Sequence, residues 1–239
     1  MHLFYTPDIA TTLELPQEEA AHALRVLRLA EGDEVMLTDG KGSLFRAEID
    51  IISGKRCYVR IVETTTPAPL WQGHLHLAMA PTKNMDRIEW FAEKATEIGF
   101  DELTFLECRF SERKVVKTDR VEKILVSAMK QSLKPTLPVL NGMTPFKKFI
   151  AQPFTGQKFI AHCDRTIDEA CKKRAYLPSI IKKNENILIL IGPEGDFSPE
   201  EIKFALENGF EPITLGNQRL RTETAAVVAT VMVATENSR

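Results

Sequence analysis

Two stretches late in this chain each combine a strand, a glycine-containing loop and a helix, and together they restrict the possible folds most. The first covers residues 187–198 and begins with the wholly apolar run Ile187–Ile191, which is typical of a strand buried on both faces. The second covers residues 215–226 and follows a short strand predicted at 212–215. Because the carboxyl ends of parallel strands meet at one edge of a sheet, we expect the two loops to form one ligand site.

The loops have the composition that a ligand site needs. Gly192 and Gly195 remove side chains from the first loop, so that its backbone groups can approach a ligand. Ser198 and Glu201 have the spacing of a capping box, which predicts a helix directly after this loop. In the second stretch we expect the helix to begin at Thr222.

The rest of the chain predicts two domains. Residues 1–66 favour a small β-barrel with one helix at 17–29, and residues 64–73, with two prolines, form the expected boundary. After that boundary strands and helices alternate, which predicts a mostly parallel α/β sheet. The strands are predicted at 35–38, 44–52, 57–62, 74–80, 103–106, 138–140 and 158–161, and the helices at 85–98, 120–133 and 145–151.

Charge and apolar content narrow the possible functions. The formal charge of −2 argues against a nucleic-acid partner, yet residues 109–134 carry 8 Lys/Arg against 3 Asp/Glu. Such a patch can bind phosphates, although a solvated helix face is the plain alternative.

No apolar run approaches the roughly 20 residues that span a membrane, and no signal peptide is visible, so we expect a cytoplasmic protein. The cysteines, Cys57, Cys108, Cys163 and Cys171, lack metal-ligand spacing, and we expect no metal and no membrane partner.

The two motifs resemble a known signature. Gly192-Pro-Glu-Gly195 followed by Leu215-Gly-x-x-x-Leu-Arg-Thr-Glu-Thr-Ala225 is similar to the 16S rRNA uridine N3-methyltransferases, the RsmE family of the SPOUT class. The similarity continues through Lys83 and residues 22–28, 93–99 and 128–132, and so covers nearly the whole chain. Two positions depart from the family pattern, since Lys134 replaces an arginine and Asp196 replaces a second glycine.

The resemblance implies an architecture and an activity. It implies a PUA-like RNA-binding barrel at 1–70 and a SPOUT domain at 71–239, whose trefoil knot completes a site for S-adenosylmethionine (SAM). It further implies a homodimer that methylates 16S rRNA of the 30S subunit during ribosome biogenesis. The apolar residues 225–234 would then lie at the dimer interface, with burial inside one subunit as the alternative.

The residues and the resemblance together suggest candidate roles for particular positions. A cation at a helix N-terminus calls for an anionic partner, which for Arg221 could be RNA phosphate, a carboxylate or the uracil anion, and we expect Arg221 to act on the uracil. Glu194 and Glu223 are both candidates for the base that removes the N3 proton, and the sequence does not choose between them. The expected cofactor residues are His162, Leu190, Ile191, Gly192, Glu194, Gly195, Leu215, Gly216, Leu220 and Thr222. The expected RNA-binding residues are Arg25, Arg28, Lys83, Arg109, Arg113 and Lys114.

Three functions compete on this sequence. The first is the SAM-dependent rRNA methyltransferase. The second is an RNA-binding or ribosome-assembly protein with a degenerate α/β domain, and the intact loops argue against it. The third is another α/β enzyme, such as a nucleotide-dependent ligase, and the absence of a phosphate-binding glycine loop argues against that.

Overall fold

The described residues contain two β-sheets, one of four strands and one of seven. This computed structural model describes residues 2–69, 71–164 and 173–238. Cys171 lies outside the described residues, and so does Leu70, which belongs to the predicted boundary at 64–73. The chain divides into a first unit, residues 1–69 with 126–137, and a second unit, residues 70–125 with 138–239.

The first unit is built on a sheet whose strands lie in chain order. They are β1 (Leu3–Tyr5), β2 (Glu34–Thr38), β3 (Leu44–Ser53) and β4 (Arg56–Thr65). β1 runs parallel to β2, whereas β2, β3 and β4 pair antiparallel. Every second residue of β3 from Phe45 to Ile49 is buried, as the pleat of a half-buried strand requires. The predicted β-rich unit is confirmed, and β1 is a strand that the sequence did not predict.

The helix predicted at 17–29 is shorter in the structure and changes type. After the single turn α1 (Ile9–Thr12), α2 (Gln17–Ala21) continues as a π-helical turn, His22–Val26. The backbone N–H of Leu27 donates to the carbonyl of His22 at 3.0 Å, which closes the wider turn. Arg28 then adopts φ 58°, in the left-handed region, and ends the helical path before residue 29.

The second unit contains a sheet in which every pairing is parallel. Its strands are β5 (Leu75–Met79), β6 (Glu102–Glu107), β7 (Val139–Pro145), β8 (Gln157–Ala161), β9 (Ala175–Tyr176), β10 (Ile187–Ile191) and β11 (Glu211–Thr214). They lie in the order β7-β6-β5-β10-β8-β11-β9. β8 lies between β10 and β11 and runs parallel to both, so the carboxyl ends of these three strands lie side by side. The predicted α/β class is confirmed, and the knot stays a prediction.

The helices after β5 lie within two residues of the predicted bounds at 85–98, 120–133 and 145–151. The bounds are α3 (Met85–Ile98), α4 (Thr118–Gln131), α5 (Phe146–Ile150), α6 (Pro199–Glu207) and α7 (Thr222–Ser238). The side chain of Asn84 caps α3, and Gly99 ends it with φ 125°. The capping box of Ser198 and Glu201 at the start of α6 is confirmed.

One face of α7 is buried within its own unit. Ala226, Ala229, Thr230 and Val233 are buried at helical spacing, and the helix packs on α3, β5 and β10. Val231 on another face is 43% exposed. The apolar composition of α7 is therefore only partly explained by burial in one subunit.

A polar cluster lies in β5, β6 and β7. Glu102 accepts a hydrogen bond from Asn141 at 2.7 Å, and its other oxygen lies 3.6 Å from Nδ1 of His76. Nε2 of His76 is 2.8 Å from the Thr104 hydroxyl. Burial lowers the pKa of His76 to about 4, so this buried ring is neutral at physiological pH.

Candidate functional site

A pocket of about 1090 Å³ opens where β8, β10 and β11 end. This position, outside the carboxyl ends of parallel strands, is where open α/β sheets bind ligands, and the volume suits a cofactor-sized molecule. The structure brings both predicted loops to this one pocket. The predicted residues that line it are His162, Ile191, Gly192, Glu194, Leu215, Gly216, Leu220, Arg221 and Thr222.

The loop after β10 is tightly wound around Gly192. A Cβ at Gly192 would lie 3.0 Å from the Phe197 ring, so this position has almost no room for a side chain. The N–H of Asp196 donates to the carbonyl of Pro193 at 2.9 Å and closes the turn. Asp196 adopts φ 66°, a conformation that glycine reaches freely and that aspartate tolerates better than most residues. That backbone conformation accounts for the glycine that the family pattern has here.

The carboxylate of Asp196 connects two neighbouring loops. One oxygen accepts from the N–H of Cys163, after β8, at 2.7 Å, and the other accepts from the N–H of Phe197 at 2.8 Å. Partial desolvation, and next the Asp196 carboxylate, raise the pKa of the Cys163 thiol. The Asp196 side chain therefore holds the loop after β8 against the loop after β10.

The loop after β11 is joined to the loop after β10 by Thr222. Its buried hydroxyl donates to the carbonyl of Gly192 at 3.0 Å, across 30 residues of sequence. Thr222 is the first residue of α7, so this bond fixes the helix N-terminus beside the pocket. Gly216, with φ 132°, starts the turn that leads there.

Arginines give the pocket a positive side. Arg219 and Arg221 both line it, and among the described residues neither forms an ion pair. Arg174 also lines the pocket, and its guanidinium donates to the carbonyl of His162 at 2.6 Å. The N-terminus of α7 adds positive potential beside Arg221, which makes this side of the pocket suitable for an anion.

The two candidate bases lie in different surroundings. Glu194 is exposed, lines the pocket, and accepts a hydrogen bond from the N–H of Lys83 at 2.9 Å. Glu223 is only 5% exposed and does not line the pocket. One of its oxygens lies 3.7 Å from Nε of Arg87, and the other has no hydrogen-bond partner among the described residues. Only Glu194 is therefore positioned to meet a ligand in this pocket.

Two expected cofactor residues also lie away from the pocket. Leu190 is completely buried in the core beside Ala78 and Ile160, whereas its neighbour Ile191 faces the pocket. Gly195 is exposed, and a Cβ there would lie 3.2 Å from Cβ of Phe110. The alternation of strand side chains explains Leu190, because only one of two successive residues can face a given side of the sheet.

Several lining residues were not among those predicted. Cys163 and Asp164 follow β8, Asp196 closes the first loop, and Arg219 lies within the second motif. Cys163 and Asp164 would have been predicted if every polar residue directly after a strand adjacent to β10 had been taken as a candidate. The strand order needed for that prediction is not visible in the sequence.

Four of the expected RNA-binding residues already contact other groups of the protein. Nε of Arg113 donates to the carbonyl of Thr82 at 3.0 Å, and its Nη2 donates to the carbonyl of Lys83. The Lys83 ammonium lies 2.9 Å from Glu112, which raises the pKa of that lysine. Lys114 pairs with Glu107 at 3.2 Å, and Arg109 with Glu200 at 3.6 Å.

Arg113 and Glu194 hold the same segment, since Arg113 donates to the carbonyls of Thr82 and Lys83 and Glu194 accepts from the N–H of Lys83. In the first unit, Arg25 and Arg28 are exposed, and no ion pair involves them among the described residues. The part of the chain that the structure describes contains no cluster of side chains suited to a metal ion. No helix in that part has the length and apolar content to cross a membrane.

Comparison with known families places the chain among RNA-modifying proteins. A model of the RNA methyltransferase domain matches residues 69–234, and a model of the RNA methyltransferase PUA domain matches residues 15–62. The ribosomal RNA small subunit methyltransferase E of Synechocystis is 28% identical over 94% of this chain and 73% of its own length. The Bacillus subtilis protein of the same name is 26% identical over 92% of this chain and 88% of its own.

Solved structures agree with these matches. A crystal structure described as a probable rRNA-methyltransferase from Porphyromonas gingivalis has a TM-score of 0.94 and 44% identity, over 100% of this chain and 99% of that one. The ribosomal RNA small subunit methyltransferase E of Neisseria gonorrhoeae, bound to S-adenosyl methionine, has a TM-score of 0.85 and 27% identity, over 98% and 97%.

Proposed function

Because this chain belongs to the RNA methyltransferase family, we propose that it transfers a methyl group from SAM to N3 of a uridine in 16S rRNA. The observation that supports this most directly is the pocket at the ends of β8, β10 and β11, in which both signature loops meet. The similar proteins from Synechocystis and Bacillus subtilis are named for the small ribosomal subunit, and one similar structure is bound to SAM. On this proposal the protein works in the cytoplasm, in rRNA processing and ribosome biogenesis.

The residues around the pocket fit SAM chemically. Ile191, Ile213 and Leu220 provide apolar walls for an adenine ring, and the backbone of the two glycine loops can pair with its edges. The carboxylates of Glu194 and Asp196 are the acidic groups of the first loop, and they favour a cationic ligand. SAM, when bound, supplies an electrophilic methyl group carried on a positively charged sulfur.

Arg221 is proposed to act on the uracil. The N3 proton must leave before the nitrogen can accept a methyl group, and the resulting charge spreads onto the carbonyl oxygens of the ring. A guanidinium beside a helix N-terminus stabilises such a charge, because both contribute positive potential at the same place. Thr222 holds that helix end in place through Gly192.

Glu194 is the carboxylate that we propose to receive the N3 proton. It lines the pocket, and its bond to the N–H of Lys83 leaves one carboxylate oxygen available for a proton. We propose for Glu223 an indirect role, in which its ion pair with Arg87 orients the first turn of α7 against α3.

A homodimer is part of the proposal. The unburied part of α7 includes Val231, and Trp90 on α3, the helix that packs on α7, is also exposed. A second copy of the chain would remove these apolar side chains from contact with water. Light scattering of the purified protein at micromolar concentration tests this, because a mass near 27 kDa would contradict it, given a chain of 26.9 kDa.

The test of the function is a methylation assay with product identification. Purified protein is incubated with SAM and with small ribosomal subunits assembled from unmodified rRNA transcript. The rRNA is then digested to nucleosides and analysed by mass spectrometry. We expect 3-methyluridine, and methyl groups on ribose or on C5 would contradict the proposal.

A further inference from the structure

The turn Cys108–Ser111, directly after β6, presents the Phe110 ring on a rigid support. The N–H of Ser111 donates to the carbonyl of Cys108 at 3.1 Å, and the N–H of Cys108 donates to the hydroxyl of Ser111 at 3.0 Å. The N–H of Arg109 donates to the buried carboxylate of Glu201 at 2.8 Å. Glu201 also forms the capping box of α6, so the turn is fastened to a helix N-terminus.

The position of this ring relates it to the signature loops. β6 ends at the same edge of the parallel sheet as β10, and a Cβ added at Gly195 would lie 3.2 Å from Cβ of Phe110, so the two residues are neighbours. Glu194 and Asp196, on either side of Gly195, both line the pocket. Phe110 therefore lies beside the loop that forms one wall of the pocket.

The exposure of this ring is unusual for a phenylalanine. Phe110 is 46% exposed, although three hydrogen bonds within the second unit hold the residues on either side of it. An aromatic side chain held in a fixed exposed position has little entropy to lose when a flat partner stacks on it.

The charges around Phe110 indicate what that partner is. The guanidinium of Arg109 lies 5.9 Å from the ring centroid, and its ion pair with Glu200 joins two well-exposed side chains, so it is weak. Further cations follow along the same segment at Arg113, Lys114 and Lys117. An aromatic ring beside a line of cations matches single-stranded nucleic acid, whose bases stack and whose phosphates are anionic.

We propose that Phe110 is a stacking platform for an unpaired base of the RNA substrate beside the loop that walls the pocket, with Arg109 next to it for the adjoining phosphate. The inference rests on the proposed function, since it assigns one contact of the RNA to the same site. Stacking there would hold the strand in an unpaired conformation, which the transfer needs because the N3 edge of a uridine is hidden in a base pair.

The test compares four variants at one position with a control from the same segment. Phe110→Ala removes the ring, Phe110→Leu keeps apolar bulk without an aromatic face, and Phe110→Tyr and Phe110→Trp keep a face. Val115→Ala is the matched control, because Val115 is 70% exposed on the same basic segment. Small subunits assembled from unmodified transcript serve as substrate with tritiated SAM, and SAM affinity is measured separately by calorimetry.

We expect Phe110→Ala and Phe110→Leu to raise the KM for small subunits by about tenfold, the order of effect for losing one stacked base. Phe110→Tyr, Phe110→Trp and Val115→Ala should stay near the wild-type KM, and none of the variants should change SAM affinity or the melting temperature. A single-stranded oligouridylate with one 2-aminopurine should lose fluorescence on binding the wild type and keep it with Phe110→Ala.

Several results would overturn the proposal. It fails if Phe110→Ala methylates with the wild-type KM, or if Phe110→Leu behaves like the wild type, since bulk alone would then suffice. It also fails if Phe110→Ala changes the oligomeric state, because a second copy of the chain would then cover the ring. If the wild type does not methylate small subunits, the proposed function fails, while the 2-aminopurine measurement still decides whether Phe110 stacks on a base.

Discussion

The hydroxyl of Thr222 donates a hydrogen bond to the carbonyl oxygen of Gly192, 3.0 Å away, and both groups are buried. This bond joins the first turn of α7 to the first residue of the loop after β10. Since the two residues belong to different signature motifs, this hydrogen bond links the two motifs directly.

Thr222→Val is the first prediction. The substitution keeps the shape of the side chain but leaves the buried Gly192 carbonyl without its partner, at a cost of about 1–3 kcal/mol. We expect SAM affinity measured by calorimetry to fall about tenfold, which corresponds to roughly 1.4 kcal/mol. Thr222→Ser, which keeps the hydroxyl, is the matched control, and equal affinity in the two variants would contradict the role of the bond.

Gly192→Ala is the second prediction. The added methyl group would lie 3.0 Å from the Phe197 ring, and the loop must shift to admit it. We expect weaker SAM binding by about tenfold or more. Gly195→Ala provides the comparison, because its methyl group would meet only Phe110 outside the pocket and should leave SAM affinity nearly unchanged. The reverse order of the two effects would show that the cofactor contacts Gly195 instead.

Arg221→Ala is the third prediction and concerns the chemical step. Loss of one fixed electrostatic stabiliser typically lowers the rate by about 10²–10³-fold, and we expect a fall of that size in single-turnover methylation. SAM affinity should change little. Raising the pH should partly restore the rate, because more of the uracil then loses its N3 proton without help. A variant whose rate stays low at every pH would place Arg221 outside this step.

The fourth prediction concerns Arg113 and Lys114, which are neighbours with different surroundings. Arg113→Ala removes the bonds to the carbonyls of Thr82 and Lys83, and so should loosen the segment that Glu194 holds. We expect it to weaken both SAM and RNA binding. Lys114→Ala should weaken RNA binding alone and reduce its salt slope by roughly 0.7–0.9. Identical behaviour of the two variants would mean that Arg113 has no structural role.

The fifth prediction is a pH dependence of stability that comes from His76. The unfolded ring takes up a proton near pH 6.5, whereas the buried ring does so only near a pKa of about 4. The unfolded state therefore binds more protons in this window, and stability is lost as the pH falls through it. We expect the free energy of unfolding in urea to drop by up to about 1.4 kcal/mol per pH unit between those values. His76→Gln should make this slope shallower, and an unchanged slope would assign it to other groups.

Local sequence signals predicted the elements best where a cap or a stop residue marks them. The helix expected at 85–98 is α3 (Met85–Ile98), because Asn84 caps its start and Gly99 ends it. The strand Ile187–Ile191 was also predicted with its bounds, since turn residues flank its apolar run. β1 and β9 were not predicted, because strands of three and two residues exist only through the partners beside them.

The contacts of the site could be predicted only in part. The family is confirmed, and the two motifs do meet at one pocket. Each loop directly follows a strand of the same parallel sheet, and this could be predicted from the local strand–loop–helix pattern. The partners of Glu223 and Arg113 were not predictable, since Arg87 and Thr82 are far from them in sequence. The same holds for Leu190 and Ile191, where a wholly apolar strand does not reveal which residue faces the pocket.

The residues that line the pocket all fall between Ala161 and Ala225, although the sheet that supports them begins at Leu75. A chain that has been synthesised only as far as residue 160 therefore has several strands of the sheet but no part of the ligand site. Since chains generally fold from their N-terminus as they leave the ribosome, cofactor binding can stabilise only the late product of translation. The proposed methyltransferase would thus become competent to bind SAM only when its own translation is nearly complete.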